Sequence, residues 1–355
     1  MPETSAPASS SSPASRRRVV FVVGSGRSGT STMAGALQAL GMHVPQPEVR
    51  ADETNPKGFA ESKWVVDLHH ELLQRSHVQV SDARPSAWFE TGKASASGIT
   101  RARLTEWLEP QFQPPKVTAV GDEPAIDELV IKDPRLAWFL GLWKSAALRT
   151  DAQASYVTML RHVTEVVGSK QRYYSQATND FSHVHRTAAW VNMMLHTERA
   201  TREGRRQFVR YDDLLTDWTV PVFRLGQELD LEAVKGASAN AIRQVHQFID
   251  PDLKRVQSTW DDVPVPARLR ELAEETWRGL SELAEPEGDQ PDVHAQLDEV
   301  RAAYGEFYDE AEAVAQSSVI AARREGRQQA VEERRPEPPG LAVRARNKIR
   351  RTLDR

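Results

Sequence analysis

The run VVFVVGSGRSGTSTMAGALQAL, residues 19 to 40, decides how this chain reads. Val19 to Val23 are five apolar, mostly β-branched residues, the pattern of a strand buried on both faces. Gly24 to Ser31 form a glycine-rich loop, after which Met33, Leu37 and Leu40 mark one face of a helix that Gly41 stops. The spacing is that of the phosphate loop G-x-x-x-x-G-K-[ST], with Thr30 where the lysine would stand. Backbone N–H groups of such a loop, with the positive end of the helix it opens, bind a phosphate-like anion without a lysine. Gly24, Gly26 and Gly29 let the backbone approach closely, and Ser28, Thr30 and Ser31 add hydroxyls. Arg27 brings a planar fork to the apex. The missing lysine weighs against ATP or GTP hydrolysis, and the strand–loop–helix context against a mere exposed turn.

Outward from this loop the chain alternates short β-rich runs with amphipathic helices. LVIK (129–132) is a strand, and Asp133-Pro134 an N-cap and first-turn proline that start the helix RLAWFLGLW. SYVTML (155–160) is a strand followed by a helix from Thr164 to Tyr174. Residues 187–204 form a long helix ending at Gly204, and QFVRY (207–211) a further strand, with Asp212-Asp213 turning the chain. This alternation predicts an α/β fold: a P-loop-like parallel sheet flanked by helices, with a helical C-terminal extension. Ligands of such sheets sit beyond the carboxyl ends of the strands. Residues 77–127 are less regular, and their aromatics Trp88, Phe89 and Trp107 serve equally as core or as an acceptor platform.

The ends differ in character. Residues 1–15 are a Ser/Pro/Ala tail expected to be disordered, and 16–264 form the α/β domain. In the helical extension, 265–335, Leu269, Leu272, Thr276, Leu280 and Leu283 mark one helix. Val293, Leu297, Val300, Tyr304, Phe307, Ala311 and Val314 alternate steps of four and three, a heptad seam. That seam over 293–318 either packs on the domain or makes a homodimer. Beyond the Pro-rich break at 336–340, residues 341–355 carry a thin apolar stripe beside basic residues, either a solvated tail or a weak membrane-surface contact.

Bulk properties bound the rest. The 355 residues, 39% hydrophobic and 27% charged, suffice for a real core. A formal charge of -4 argues against a nucleic-acid-coating surface. The absence of cysteine excludes thiol nucleophiles, disulfides and cysteine metal sites. With no apolar run long enough to span a bilayer, the expected location is cytoplasmic, or peripheral at a membrane.

Further cations stand where strands end: Lys132 and Arg135 in VIKDPR, and Arg161 in LRHVTEVVGS with Ser169 eight residues on. In a parallel sheet they converge on one edge with the loop, which suits a ligand with phosphate at both ends.

Taken together, GSGRSGTS (24–31), NPKGFAES (55–62), VIKDPR (130–135), LRHVTEVVGS (160–169) and VRYDDLL (209–215) resemble the sulfotransferase family, in its bacterial, carbohydrate-sulfotransferase-related branch, over roughly residues 19 to 260. The resemblance implies a P-loop-like fold without nucleoside triphosphatase activity. The implied donor is 3′-phosphoadenosine 5′-phosphosulfate (PAPS), which gives a sulfuryl group to an acceptor hydroxyl on a glycan, glycolipid or small metabolite, with no metal. It places the phosphosulfate on residues 24–31, the ribose 3′-phosphate at Arg161 and Ser169, and Tyr211 beside the adenine. Arg27 and Lys132 become the catalytic cations. Cytosolic members carry lysine at the place of Arg27 and a general-base histidine two residues after the lysine of the second strand. That place is Pro134 here; related bacterial members use a glutamate in a stretch like NPKGFAES, and the resemblance thus implies Glu61 as the candidate base, against a bland role at a helix N-terminus. His69 and His70 are alternatives. Two other classes stay open: a P-loop kinase in which Lys132 replaces the loop lysine, and a degenerate donor-binding interaction protein built on the tails.

Overall fold

The computed structural model describes residues 17–53, 55–112, 127–174, 182–250 and 257–333. The N-terminal tail, the Pro-rich break and the basic tail over 341–355 lie outside them. The chain divides into two compact units, residues 1–305 and 306–355.

In the first unit, β1 (Arg17–Val23), β2 (Asp127–Lys132), β3 (Ala152–Leu160) and β4 (Arg205–Arg210) form one parallel sheet in the order β2-β1-β3-β4. In register, Val22 lies opposite both Lys132 and Val157, so β1 and β2 end within one residue of each other and β3 runs on to Leu160 beside the loop. The alternation of side chains explains why β1 is apolar throughout. Val19, Phe21 and Val23 enter one core layer, with α2 (Lys63–Ser76), α4 (Gly98–Leu108) and α5 (Leu140–Arg149). Val20 and Val22 enter the other, with α1 (Thr30–Ala39) and α9 (Thr219–Glu228). Each of these fully buried side chains contributes about 1.5–3 kcal/mol of apolar transfer.

Several local expectations shift by a few residues. Asp133 does cap: its Oδ1 accepts the Arg135 N–H at 2.8 Å, with Pro134 in the first turn. That turn is a 3-10 segment, Pro134–Phe139, before α5 proper begins. α6 spans Val163–Tyr174, and α7 runs His183–Thr201, starting before Thr187 and ending ahead of Gly204. β4 stops at Arg210, because Tyr211 opens the short helix α8 (Tyr211–Thr216), where Asp212 and Asp213 complement the helix N-terminus.

The irregular stretch after residue 77 contains two real helices, α3 (Ala87–Ser95) and α4. Trp107 on α4 stacks on Trp64 at 4.3 Å between centroids, whereas Trp88 and Phe89 are about half exposed at 49% and 53%. None of the three lines the main cavity.

After α10 (Glu232–Lys235) and α11 (Ala239–Phe248), α12 (Ala267–Glu282) packs on α7, and α13 (Pro291–Glu333) begins. Within the first unit the seam residues Val293, Leu297, Val300 and Tyr304 are buried, Leu297 lying against Gly279 of α12. The Tyr304 hydroxyl donates to Ala83 O at 2.6 Å. The wholly buried Glu198 carboxylate is held by Arg202, Arg206 and Arg301, which ties α7, β4 and the start of α13 together. In the second unit the described residues 306–333 are helical, with Val314 88% exposed. Among the described residues no helix is long and apolar enough to cross a membrane.

Candidate active site

The loop between β1 and α1 is built by three left-handed residues, Gly24 (φ 132), Arg27 (φ 77) and Gly29 (φ 90). A non-glycine residue in that region costs on the order of 1–3 kcal/mol and persists where its surroundings over-determine it. Here the turn is closed by Ser25, whose carbonyl accepts both the N–H of Ser28 (3.1 Å) and its hydroxyl (2.6 Å). Ser28 is therefore buried and spent inside the turn. It does not line the cavity, which corrects the reading of its hydroxyl as a ligand donor.

The strain at Arg27 aims its side chain across the loop. Its Nε donates to Ser169 Oγ on α6 at 3.0 Å, and its guanidinium lies 4.5 Å from the centroid of Tyr173. Arg161, just past β3, donates from Nη1 to the Arg27 carbonyl at 3.2 Å and from Nε to Glu165 at 2.9 Å. It also lies 5.1 Å from the ring of Tyr211, and that ring sits directly under Gly29. Arg27, Arg161, Ser169 and Tyr211, distant in sequence, are thus one connected group.

At the end of β2, Lys132 Nζ donates to Ser31 Oγ at 2.8 Å and to Glu61 Oε1 at 2.5 Å. Glu61 precedes Ser62, the N-cap of α2, so its carboxylate is not a first-turn group of that helix. It is 6% exposed, and burial pushes its pKa up more than the adjacent ammonium of Lys132 pulls it down. A buried carboxyl titrating above its usual range is suited to take a proton near neutrality.

The two histidines separate. His69 is fully buried, its Nδ1 3.0 Å from Asp133 Oδ2 and its Nε2 accepting the Trp143 indole N–H at 2.8 Å. Because indole only donates, Nε2 must be the acceptor and Nδ1 carries the proton. Both nitrogens are engaged, so His69 is a structural bridge and not the base. His70 is exposed and reaches the cavity beside Gln74. Trp143→Phe removes the donor to His69 and should destabilise the protein by about 1–3 kcal/mol in urea unfolding. An unchanged midpoint would show that this bond contributes nothing.

Arg27, Ser31, Glu61, His70, Lys132, Arg161, Ser169 and Tyr211 open onto one cavity of about 1000 Å³, which also receives Lys57, Arg135, Lys170 and Arg186. The volume suits a nucleotide-sized molecule with an acceptor beside it. Sequence reading missed Lys170, Tyr173 and Arg186. Beside His70 it also missed Leu73, Gln74 and the C-cap His77 at the end of α2, whose i, i+3, i+4, i+7 spacing on one helix face was the available signal. Among the described residues no group of three His, Asp or Glu side chains is arranged to hold a metal ion.

Two sulfotransferase domains are among the solved structures similar to this chain. One is the sulfotransferase domain from the Synechococcus PCC 7002 olefin synthase, with 19% identity over 75% of this chain and 94% of that one, and a TM-score of 0.40. The other is the sulfotransferase domain from the curacin biosynthetic pathway, with 15% identity over 75% and 98%, also at 0.40. No curated protein matches. The family model described as "Sulfotransferase family" matches residues 19–235, more than half of the length, and on that ground the chain belongs to the sulfotransferase family.

Proposed function

We propose that this transferase takes its sulfuryl group from PAPS and passes it to an acceptor hydroxyl on a glycan, glycolipid or small metabolite. The observation that carries the reading is the Lys132–Glu61–Ser31 contact set against a lysine-free glycine loop. It gives a buried cation and a buried base side by side where β2 ends. The donor supplies an activated sulfur whose departing partner is a phosphate oxygen. Loop amides and the N-terminus of α1 bind its anionic end. Arg27 and Lys132 stabilise the charge that grows on the departing oxygen, and Glu61 takes the acceptor proton. Arg161 and Ser169 hold the ribose 3′-phosphate, and Tyr211 closes the site below Gly29. Their fit rests on the cationic, hydroxyl-rich lining at that end of the cavity.

The contact of Lys132 with Ser31 also permits the kinase reading, in which Lys132 does the work of the absent loop lysine. Calorimetry with adenosine 3′,5′-bisphosphate and with magnesium-ATP separates the two. The expected result is binding of the bisphosphate in preference to ATP. Arg161→Ala should weaken it about ten- to a hundredfold, the worth of one charge-assisted contact. Preference for magnesium-ATP would overturn the sulfotransfer reading. Donor binding without turnover would favour the degenerate donor-binding protein, and binding of neither would leave the cradle a structural relic.

A further inference from the structure

The cavity extends beyond the loop and its partners toward the C-terminal end of α2. Lys170 follows Ser169 on α6, but one residue rotates a helical side chain by about 100°. Its ammonium therefore turns away from Arg161 and meets Ser81 Oγ at 2.9 Å and Ser25 Oγ at 3.3 Å. Arg186, on the first turn of α7 and 7% exposed, donates to the side-chain amide oxygen of Gln171.

The charge pattern of the lining is uneven. Lys132 has Glu61 at 2.5 Å, Arg135 has Asp133 at 2.9 Å, Arg161 has Glu165 at 2.9 Å and Lys57 has Asp250 at 3.7 Å. Lys170 and Arg186 have only hydroxyls and an amide, and among the described residues no carboxylate lies within 4.0 Å of either. Desolvating cations without a counter-ion is unfavourable. Burial, with Arg186 and Arg27 nearby, accordingly brings the Lys170 pKa down to about 8. Leu73, Val78 and Val80 line the cavity wall, an apolar surface for a hydrocarbon portion.

We infer that this end of the cavity is an acceptor subsite, and that the acceptor carries its own anionic group, a carboxylate or phosphate, which Lys170 and Arg186 bind. The inference rests on the sulfotransfer reading above and narrows its acceptor class.

The test titrates protein saturated with adenosine 3′,5′-bisphosphate, so that the loop is filled. The probes are short, medium and long ω-hydroxyalkanoates, the matching ω-hydroxyalkyl phosphates, and uncharged diols of equal length. At least one charged series is expected to bind about tenfold or more tighter than its diols, and comparison of the two series shows which anion is preferred. Lys170→Gln and Arg186→Gln should each erase that preference, Lys170→Arg should keep it, and all three should bind the bisphosphate as the parent does. Equal binding of charged and uncharged probes overturns the inference while the donor reading stands. Loss of bisphosphate affinity in the two glutamine variants also overturns it, by assigning both cations to the donor. A parent protein that fails to bind the bisphosphate defeats the underlying reading instead.

Discussion

Lys132→Met is expected to slow single-turnover formation of adenosine 3′,5′-bisphosphate from the donor by about 10²–10³-fold, the usual loss when one preorganised donor to a developing oxyanion is removed. Methionine keeps the apolar stem and approximate volume, so the fold should persist, and affinity for adenosine 3′,5′-bisphosphate should change far less than the rate. The substitution also leaves Glu61 buried without its partner. In the parent, burial raises the Glu61 pKa and Lys132 opposes it. A base must be deprotonated to act, so activity should rise with pH through a value above the ordinary carboxylate range. Without Lys132 that acid limb should move further upward. A rate within threefold of the parent, with an unmoved pH profile, would remove Lys132 and Glu61 from the chemistry.

The second large effect is on stability. Gly29 sits at φ 90, and a Cβ there would lie 2.2 Å from Tyr211 Cδ2 and 2.6 Å from Cε2. The ring is wedged between the loop and the Arg161 guanidinium at 5.1 Å, and cannot swing clear cheaply. Gly29→Ala adds left-handed strain of about 1–2 kcal/mol to overpacking of about 1–3 kcal/mol. A loss of about 2–5 kcal/mol in urea unfolding is expected. Adding Tyr211→Ala should relieve the overpacking but not the strain. Gly26→Ala is the control, since its Cβ would meet only Pro134 at an ordinary 3.8 Å. Equal costs at positions 26 and 29 would contradict this account.

Much of the scaffold was legible because buried parallel strands announce themselves as apolar runs. β1, β2 and β3, and the Asp133-Pro134 start after β2, follow from local residues alone. α3 and α4 were not legible. α3 turns Trp88 and Phe89 outward, and α4 buries only Thr100, Leu104 and Leu108 among polar neighbours, so neither shows a clean apolar stripe. The site divides in the same way. Arg27, Lys132, Arg161 and Ser169 line one cavity where the loop and the strand ends were expected to converge. Ser28 was misread because turn closure claims its hydroxyl. Lys170 and Arg186 were invisible because their hydroxyl and amide partners come together only in three dimensions. His69 looked reactive until Asp133 and Trp143, far along the chain, occupied both its nitrogens.

The ring of Tyr211 touches the underside of the loop at Gly29 and the guanidinium of Arg161 together. On the donor reading proposed above, two separate anion grips stand on one rigid aromatic plate, like the jaws of a caliper locked at a fixed gauge. Such an instrument sorts ligands by span as well as charge. A molecule with one anionic end can fill one jaw, but only one whose two charged ends match the gauge engages both. Length discrimination is thus set by a side chain that need not bind the ligand's charges itself.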